Sequence, residues 1–241
     1  MLVTIKLIII GIVLLIASIQ DLKSREVDDK IWIITIPIGL LLTIIEALTT
    51  LVYPYILAIF SIIFSIIMAL GFAYLGLYGG ADAKALITIA LTLPLPPDRS
   101  PLIFPMTILG NALFILIIIL PFIMTSCLIW NLIIKTKGIE LFSNLKINNW
   151  KKLIVMLFGV KVKAKIAYSI HFNLMERIGK NGSREIKILR KVEENIEKIE
   201  GEYLWATPAL PFIVFIFAGY LIYFIYGDLL FTKFLHFFLK L

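Results

Sequence analysis

The sequence predicts a polytopic α-helical membrane protein of about six transmembrane helices, with a small soluble α+β insert before the last. Three observations carry that prediction. Hydrophobic residues make up 61% of the 241 and charged residues only 16%, and mean hydropathy is +1.01, far above a soluble domain. The apolar residues gather into runs close to the ~20 residues needed to cross hydrocarbon, where no water satisfies backbone groups. Between the last two runs the composition shifts abruptly, with 15 Lys/Arg and 8 Asp/Glu in residues 135–205.

The runs fall at roughly 3–20, 31–49, 55–77, 83–95, 102–134 and 206–226. No small-x-small cleavage site precedes Gln20, so the first run is expected to be a retained span. The second carries Glu46 near its outer end, where a carboxylate is an interface anchor or an ion site. The fourth is short and closes at "PLPPD". The fifth is long enough to tilt, to kink near Pro121, or to continue into the cytosol. This divides the chain into a membrane domain, 1–134, a soluble insert, 135–205, and a last span with its tail, 206–241.

Within the insert, Ile186, Leu189, Val192, Ile196 and Ile199 recur at three- and four-residue steps, which predicts a helix with Ser183 as its N-cap. Upstream, Ile166, Tyr168, Ile170, Phe172 and Leu174 alternate as a half-buried strand would. Some 70 residues give only a modest core. The excess of Lys and Arg reads as a solvated surface, since no nucleic-acid-binding module accompanies it. Lys and Arg accumulate in cytoplasmic loops, so the insert and the loops at 21–30 and 78–82 are expected inside, with 19 of the 23 Lys/Arg at that face.

That topology carries two carboxylates to one face. Asp21 ends the first apolar run and Asp82 opens the fourth, each at a helix end near water. Taken singly, each reads most simply as a helix cap or an interface anchor. Taken together they suggest chemistry, because two carboxylates in a low-dielectric site do not both ionise and come to share a proton. One then serves as general base toward a water while the other, protonated, polarises a peptide carbonyl. Small residues around Asp82, namely Gly76, Gly79, Gly80 and Ala81, would admit an extended substrate. Glu26, Asp28 and Asp29 beside Asp21 would attract a basic peptide, unless they form a plain solvated loop. A carrier using Asp21, Asp82 and Glu46 as ion sites is the rival reading, but carriers place such sites near the midplane of paired repeats, and no internal repeat is evident.

"GGAD", Gly79 to Asp82, is similar to the GxGD motif of intramembrane-type aspartyl proteases. "DLKSREVDD", Asp21 to Asp29, resembles the segment that follows the first catalytic aspartate in type IV prepilin peptidases. "WATPALPFIVFIFAGY", Trp205 to Tyr220, resembles the closing span of the archaeal preflagellin peptidases. The resemblance implies a membrane aspartic endopeptidase that removes short basic leaders from preflagellin or pilin-like precursors at the cytoplasmic face. Asp21 and Asp82 map onto its catalytic pair. It implies no cofactor: the lone cysteine, Cys127, rules out the paired CxxC zinc motifs of methylating relatives, and His171 and His236 stand isolated, so no metal is expected. Preflagellin-type precursors and membrane lipid are the expected partners, and nucleic acid is not. One departure stands out: the family motif has Gly where this chain has Ala81.

Overall fold

The fold is that of a computed structural model. It describes every residue except 98–102, 144, 146, 180–183, 187–198, 200 and 228–241. The chain divides into two compact units, Met1–Leu116 with Pro211–Leu241, and Ile117–Leu210.

The first unit is a bundle of α1 (Leu2–Ser24), α2 (Asp29–Thr49), α3 (Tyr55–Tyr74), α4 (Gly80–Thr92), the start of α5 (Phe104–Thr136) and α8 (Phe212–Tyr226). Four of these, α1, α2, α3 and α5, are long and apolar enough to cross a membrane. Their faces are sorted as lipid requires. The buried positions of α3 are Ala58, Ser61, Ser65 and Ala69, at steps of three and four, while Ile56, Phe60 and Ile67 point outward. Small residues let backbones approach, and large apolar ones lose nothing by facing acyl chains. The same logic brings α8 onto α5, where a side chain at Gly219 would strike the backbone of Ile108 and Ala112.

Short α4 lies at the centre, packed by α1, α2, α3 and α8. Ala85, Leu86, Ile89 and Ala90 are fully buried. Its thirteen residues rise only about 20 Å, so its C-terminal carbonyls end inside the bundle and need donors. The Thr43 hydroxyl supplies one from α2, donating to the carbonyls of Leu91 and Thr92 at 2.9 and 2.8 Å, and Ser61 of α3 donates to Pro94. At the far end of α1, Lys6 meets Glu46 of α2 at 2.7 Å, both shielded. Glu46 therefore has a buried cation as partner and is not an interface-facing anchor.

The second unit holds the remainder of α5, α6 (Asn149–Phe158), α7 (Ala164–Ala167) and two small sheets. Antiparallel strands run β1 (Val160–Lys163), β5 (Tyr203–Pro208), β2 (Phe172–Leu174), and β3 (Glu176–Ile178) pairs with β4 (Arg184–Ile186). Strand β5 separates two cores by its period of two. Leu204 and Ala206 face Cys127, Val162 and Leu174, whereas Trp205 faces Val155, Met175 and Leu141. Beneath Trp205 lies a buried charge cluster: Glu176 accepts from the Trp205 backbone N–H at 2.7 Å and from the Lys161 ammonium at 3.3 Å. Burial pushes the Lys161 ammonium down from its ordinary pKa, and Glu176 pulls it back up.

Three local expectations change. The strand expected over Ile166–Leu174 is a helical turn, α7, followed by β2, because the alternation is shared between two shorter elements. The expected helix from Ser183 begins as β4 at Arg184–Ile186, which pairs with β3, while Ser183, Leu189, Val192 and Ile196 lie outside the described residues. The start of the run at 206–226 belongs to β5, and the helix begins at Phe212.

Removing the anion of the second unit tests its cluster. Glu176→Ala leaves Lys161 buried without its partner and should destabilise this unit by about 3–5 kcal/mol. Limited proteolysis between 137 and 205 reads the loss, and an unchanged cleavage pattern would show that the cluster contributes little.

Candidate functional site

Asp82 is placed by a turn that only glycine makes cheaply. At the C-terminus of α3 the Leu77 N–H donates to the Phe72 carbonyl and the Gly76 N–H to the Ala73 carbonyl, both at 3.0 Å, with Gly76 at φ 71°. This is a Schellman closure, and its left-handed residue is unstrained only as glycine. Tyr78 and Gly79 follow, and α4 starts. Asp82 occupies the third helical position, is 8% exposed, and its Oδ2 accepts from the Gly79 N–H at 2.8 Å. That bond satisfies an orphan donor at the helix start and fixes the carboxylate where the α4 dipole favours it.

Asp21 reaches the same place from the last turn of α1. Its carboxylate accepts from the backbone N–H of Ile213, in the first turn of α8, and it acts electrostatically on Asp82. The aspartates thus lean on the N-termini of two different helices. An aromatic stack joins those supports: the Tyr78 ring lies on Phe212 at 5.6 Å and 10°, with Phe72 edge-on at 6.0 Å. The Tyr78 hydroxyl donates to the Ala69 carbonyl at 3.1 Å. Burial, and then the Asp82 carboxylate, push its phenol up to about 12, so it stays protonated.

The other expected residues sit close in sequence and serve several contacts. Gly79 is the N-cap of α4, Gly80 has open space where a side chain would project, and Ala81 packs against the bundle core from the first helical turn. Its methyl meets no backbone restriction there. Asp28 caps α2 by accepting from the Lys30 N–H at 2.9 Å, and Asp29 pairs with Lys84 at 2.6 Å. Glu26 is exposed, and its carbonyl accepts from the Ser24 hydroxyl. The Asp29 to Lys84 pair borders a groove of about 320 Å³ whose walls include Trp32, Ile33, Ile36 and Pro37.

Three residues escaped the sequence reading. Tyr78 and Phe212 are far apart along the chain, and only the aromatic beside each helix start hinted at a meeting. Arg25, four residues after Asp21, lies near enough to act on its carboxylate.

Two family models match the chain, the Type IV leader peptidase family over residues 8–120 and the Archaeal Peptidase A24 C-terminus Type II over 151–229. The preflagellin peptidase of Methanocaldococcus jannaschii is 31% identical, over 93% of this chain and 94% of its own. That of Methanococcus maripaludis is 29% identical over 89% and 92%, and that of Methanococcus voltae 32% over 89% and 92%.

The turn that presents Asp82 gives a direct test. Gly76→Ala places a Cβ at a left-handed residue and should cost about 1–2 kcal/mol, whereas Ala81→Gly should cost at most about 1 kcal/mol, the helical penalty for glycine. Thermal unfolding in detergent separates them. A Gly76→Ala protein as stable as the parent would mean that the turn relaxes without loss.

Proposed function

The chain belongs to the type IV leader peptidase family, and from that premise we propose that it is a membrane aspartic endopeptidase acting on preflagellin-type precursors. Asp21 and Asp82 are its catalytic pair. The observation that carries this reading is the approach of the two carboxylates at the start of α4, close enough to act on one another, one of them nearly buried. Like charges so placed hold one proton between them more readily than none.

That arrangement suffices for peptide hydrolysis. The ionised carboxylate takes a proton from water as the water oxygen bonds to the scissile carbonyl carbon. The protonated carboxyl gives its proton to the carbonyl oxygen. On collapse of the tetrahedral diol the C–N bond breaks: the carboxyl that took the water proton gives it to the leaving nitrogen, a diol hydroxyl returns its proton to the other carboxylate as the C=O bond re-forms, and the pair is back in its starting state. Tyr78, protonated throughout the working range, screens one side of the site without competing for that proton.

Substrate enters from the cytoplasmic face, where the distribution of Lys and Arg would place both aspartates and the second unit. Gly79, Gly80 and Ala81 leave clearance for an extended chain, supported by the open space at Gly80. Glu26, Asp28 and Asp29 draw in a basic leader. Asp28 and Asp29 also hold structure, so Glu26 is the residue of the three whose change isolates attraction.

Purified protein in detergent, mixed with a preflagellin, should yield the shortened product. Asp21→Asn and Asp82→Asn should each abolish it while leaving membrane insertion intact, since an amide neither takes nor shares the proton. Near-normal turnover in either variant removes that aspartate from the mechanism. Activity of the parent should fall on both sides of an optimum: at low pH both carboxyls are protonated and no base remains, and at high pH both ionise and no acid remains. A rate flat across the range would exclude a shared proton.

Attraction by the loop has its own signature. Glu26→Gln should raise KM for a basic leader by about two- to threefold at low salt with kcat unchanged, and the difference should shrink as ions screen it over about 8 Å at physiological strength. Equal KM values for parent and variant at low salt would take Glu26 out of substrate capture.

A further inference from the structure

Arg25 carries two costs that the fold alone does not require. Among the described residues it is the only one other than glycine with positive φ, at 58° with ψ 15°, where it ends α1 by donating its N–H to the Asp21 carbonyl at 3.1 Å. Glycine or asparagine is the usual occupant of such a cap. Its guanidinium Nε and Nη1 are shut off from solvent, yet neither has an acceptor among the described residues. Enclosed donors of a cation without acceptors are among the more expensive features a fold retains. The Asp21 carboxylate is near enough to act on Arg25 electrostatically, but among the described residues the two close no ion pair within 4.0 Å.

A glycine at this position would remove both costs and still end the helix. Backbone outliers and unpaired buried donors gather where a ligand completes the site. We infer that Arg25 is a substrate-binding residue, its Nε and Nη1 donating to main-chain carbonyl oxygens of the precursor as the scissile bond reaches Asp21 and Asp82. The inference rests on the reading of those aspartates as the catalytic pair. A main-chain acceptor fits better than a side-chain carboxylate. Every extended segment presents carbonyls whatever its sequence, and a carboxylate would have to enter beside Asp21, Glu26, Asp28 and Asp29. Arg25 so placed would hold the substrate chain against the end of α1 while Asp21 serves the same peptide one turn away.

The test uses binding, so that it does not depend on turnover. A fluorescently labelled synthetic peptide spanning the preflagellin cleavage junction is titrated onto full-length Asp82→Asn protein in detergent, with and without Arg25→Gly. Because glycine suits the left-handed cap, Arg25→Gly should keep or raise Tm, and it should weaken peptide binding about tenfold or more, as loss of charged hydrogen bonds predicts. Arg25→Lys should recover little, since an ammonium has no donor at the Nε position. A peptide with every Asp and Glu changed to its amide should lose as much. Unchanged binding in Arg25→Gly overturns the proposal, and a loss confined to the acidic peptide overturns the main-chain assignment. Should Arg25→Gly fail to fold, Arg25→Asn tolerates the same backbone and carries the measurement. Cleavage by Asp82→Asn itself would sink the catalytic pair, a failure distinct from either outcome for Arg25.

Discussion

The arrangement of the first unit follows from one constraint, that a helix too short to cross hydrocarbon must end inside other protein. Thirteen-residue α4 leaves polar backbone at both termini, and unsatisfied groups in an apolar medium cost several kcal/mol each, about as much as the net stability of a small domain. At the C-terminal end, Thr43 and Ser61 answer the carbonyls from neighbouring helices. This explains the hydroxyls of Thr43 and Ser61 on the inward stripes of α2 and α3, whereas Thr35 donates to the Ile31 carbonyl of its own helix. At the N-terminal end the answer is Asp82 itself, so the residue that satisfies the helix start is also the one proposed to take part in proton transfer.

The same economy holds for Asp21. Its acceptor role toward the Ile213 N–H makes α8 part of the site, although α8 is the last helix of the bundle and α1 the first. Helix N-termini favour negative charge through their aligned dipoles and free N–H groups. Two such termini aimed at one region favour the approach of two carboxylates, alongside the Arg25 guanidinium that also acts on Asp21. The Tyr78 and Phe212 rings then fix the distance between the supports by packing. A stacked pair contributes roughly 0.5–1.5 kcal/mol beyond its buried area, enough to bias the geometry and too little to specify it alone.

Most of the bundle was legible in the sequence because its signals are local. Apolar runs of bilayer length mark α1, α2, α3 and α5, and the small residues before Asp82 mark the start of α4. The second unit was less legible. Ile186 looks helical by its spacing to Ile199, yet β4 pairs it with Glu176 of β3, a non-local choice that periodicity does not encode. The aspartates were singled out by their positions at run ends. Arg25 was not, since its sequence context shows only one charged residue in a loop of mixed charge. What distinguishes it is a backbone angle and the enclosure of two nitrogens, both consequences of how α1 ends against its neighbours.

Ala81 shows which part of a small-residue motif is conformational and which is spatial. Positive φ in this stretch is confined to Gly76, so only there does the backbone itself call for glycine. Gly79 adopts an ordinary extended cap, and a Cβ on it would reach only van der Waals contact with Asp82 Oδ2 at 3.4 Å. Gly80 faces open space. Position 81 is already helical, where alanine is favoured over glycine by nearly 1 kcal/mol, and its methyl is taken up by the core. Glycine at 81 is therefore dispensable to the backbone. What small side chains at 79 and 80 leave is room at the start of α4, with open space at Gly80 close to the buried Asp82 carboxylate.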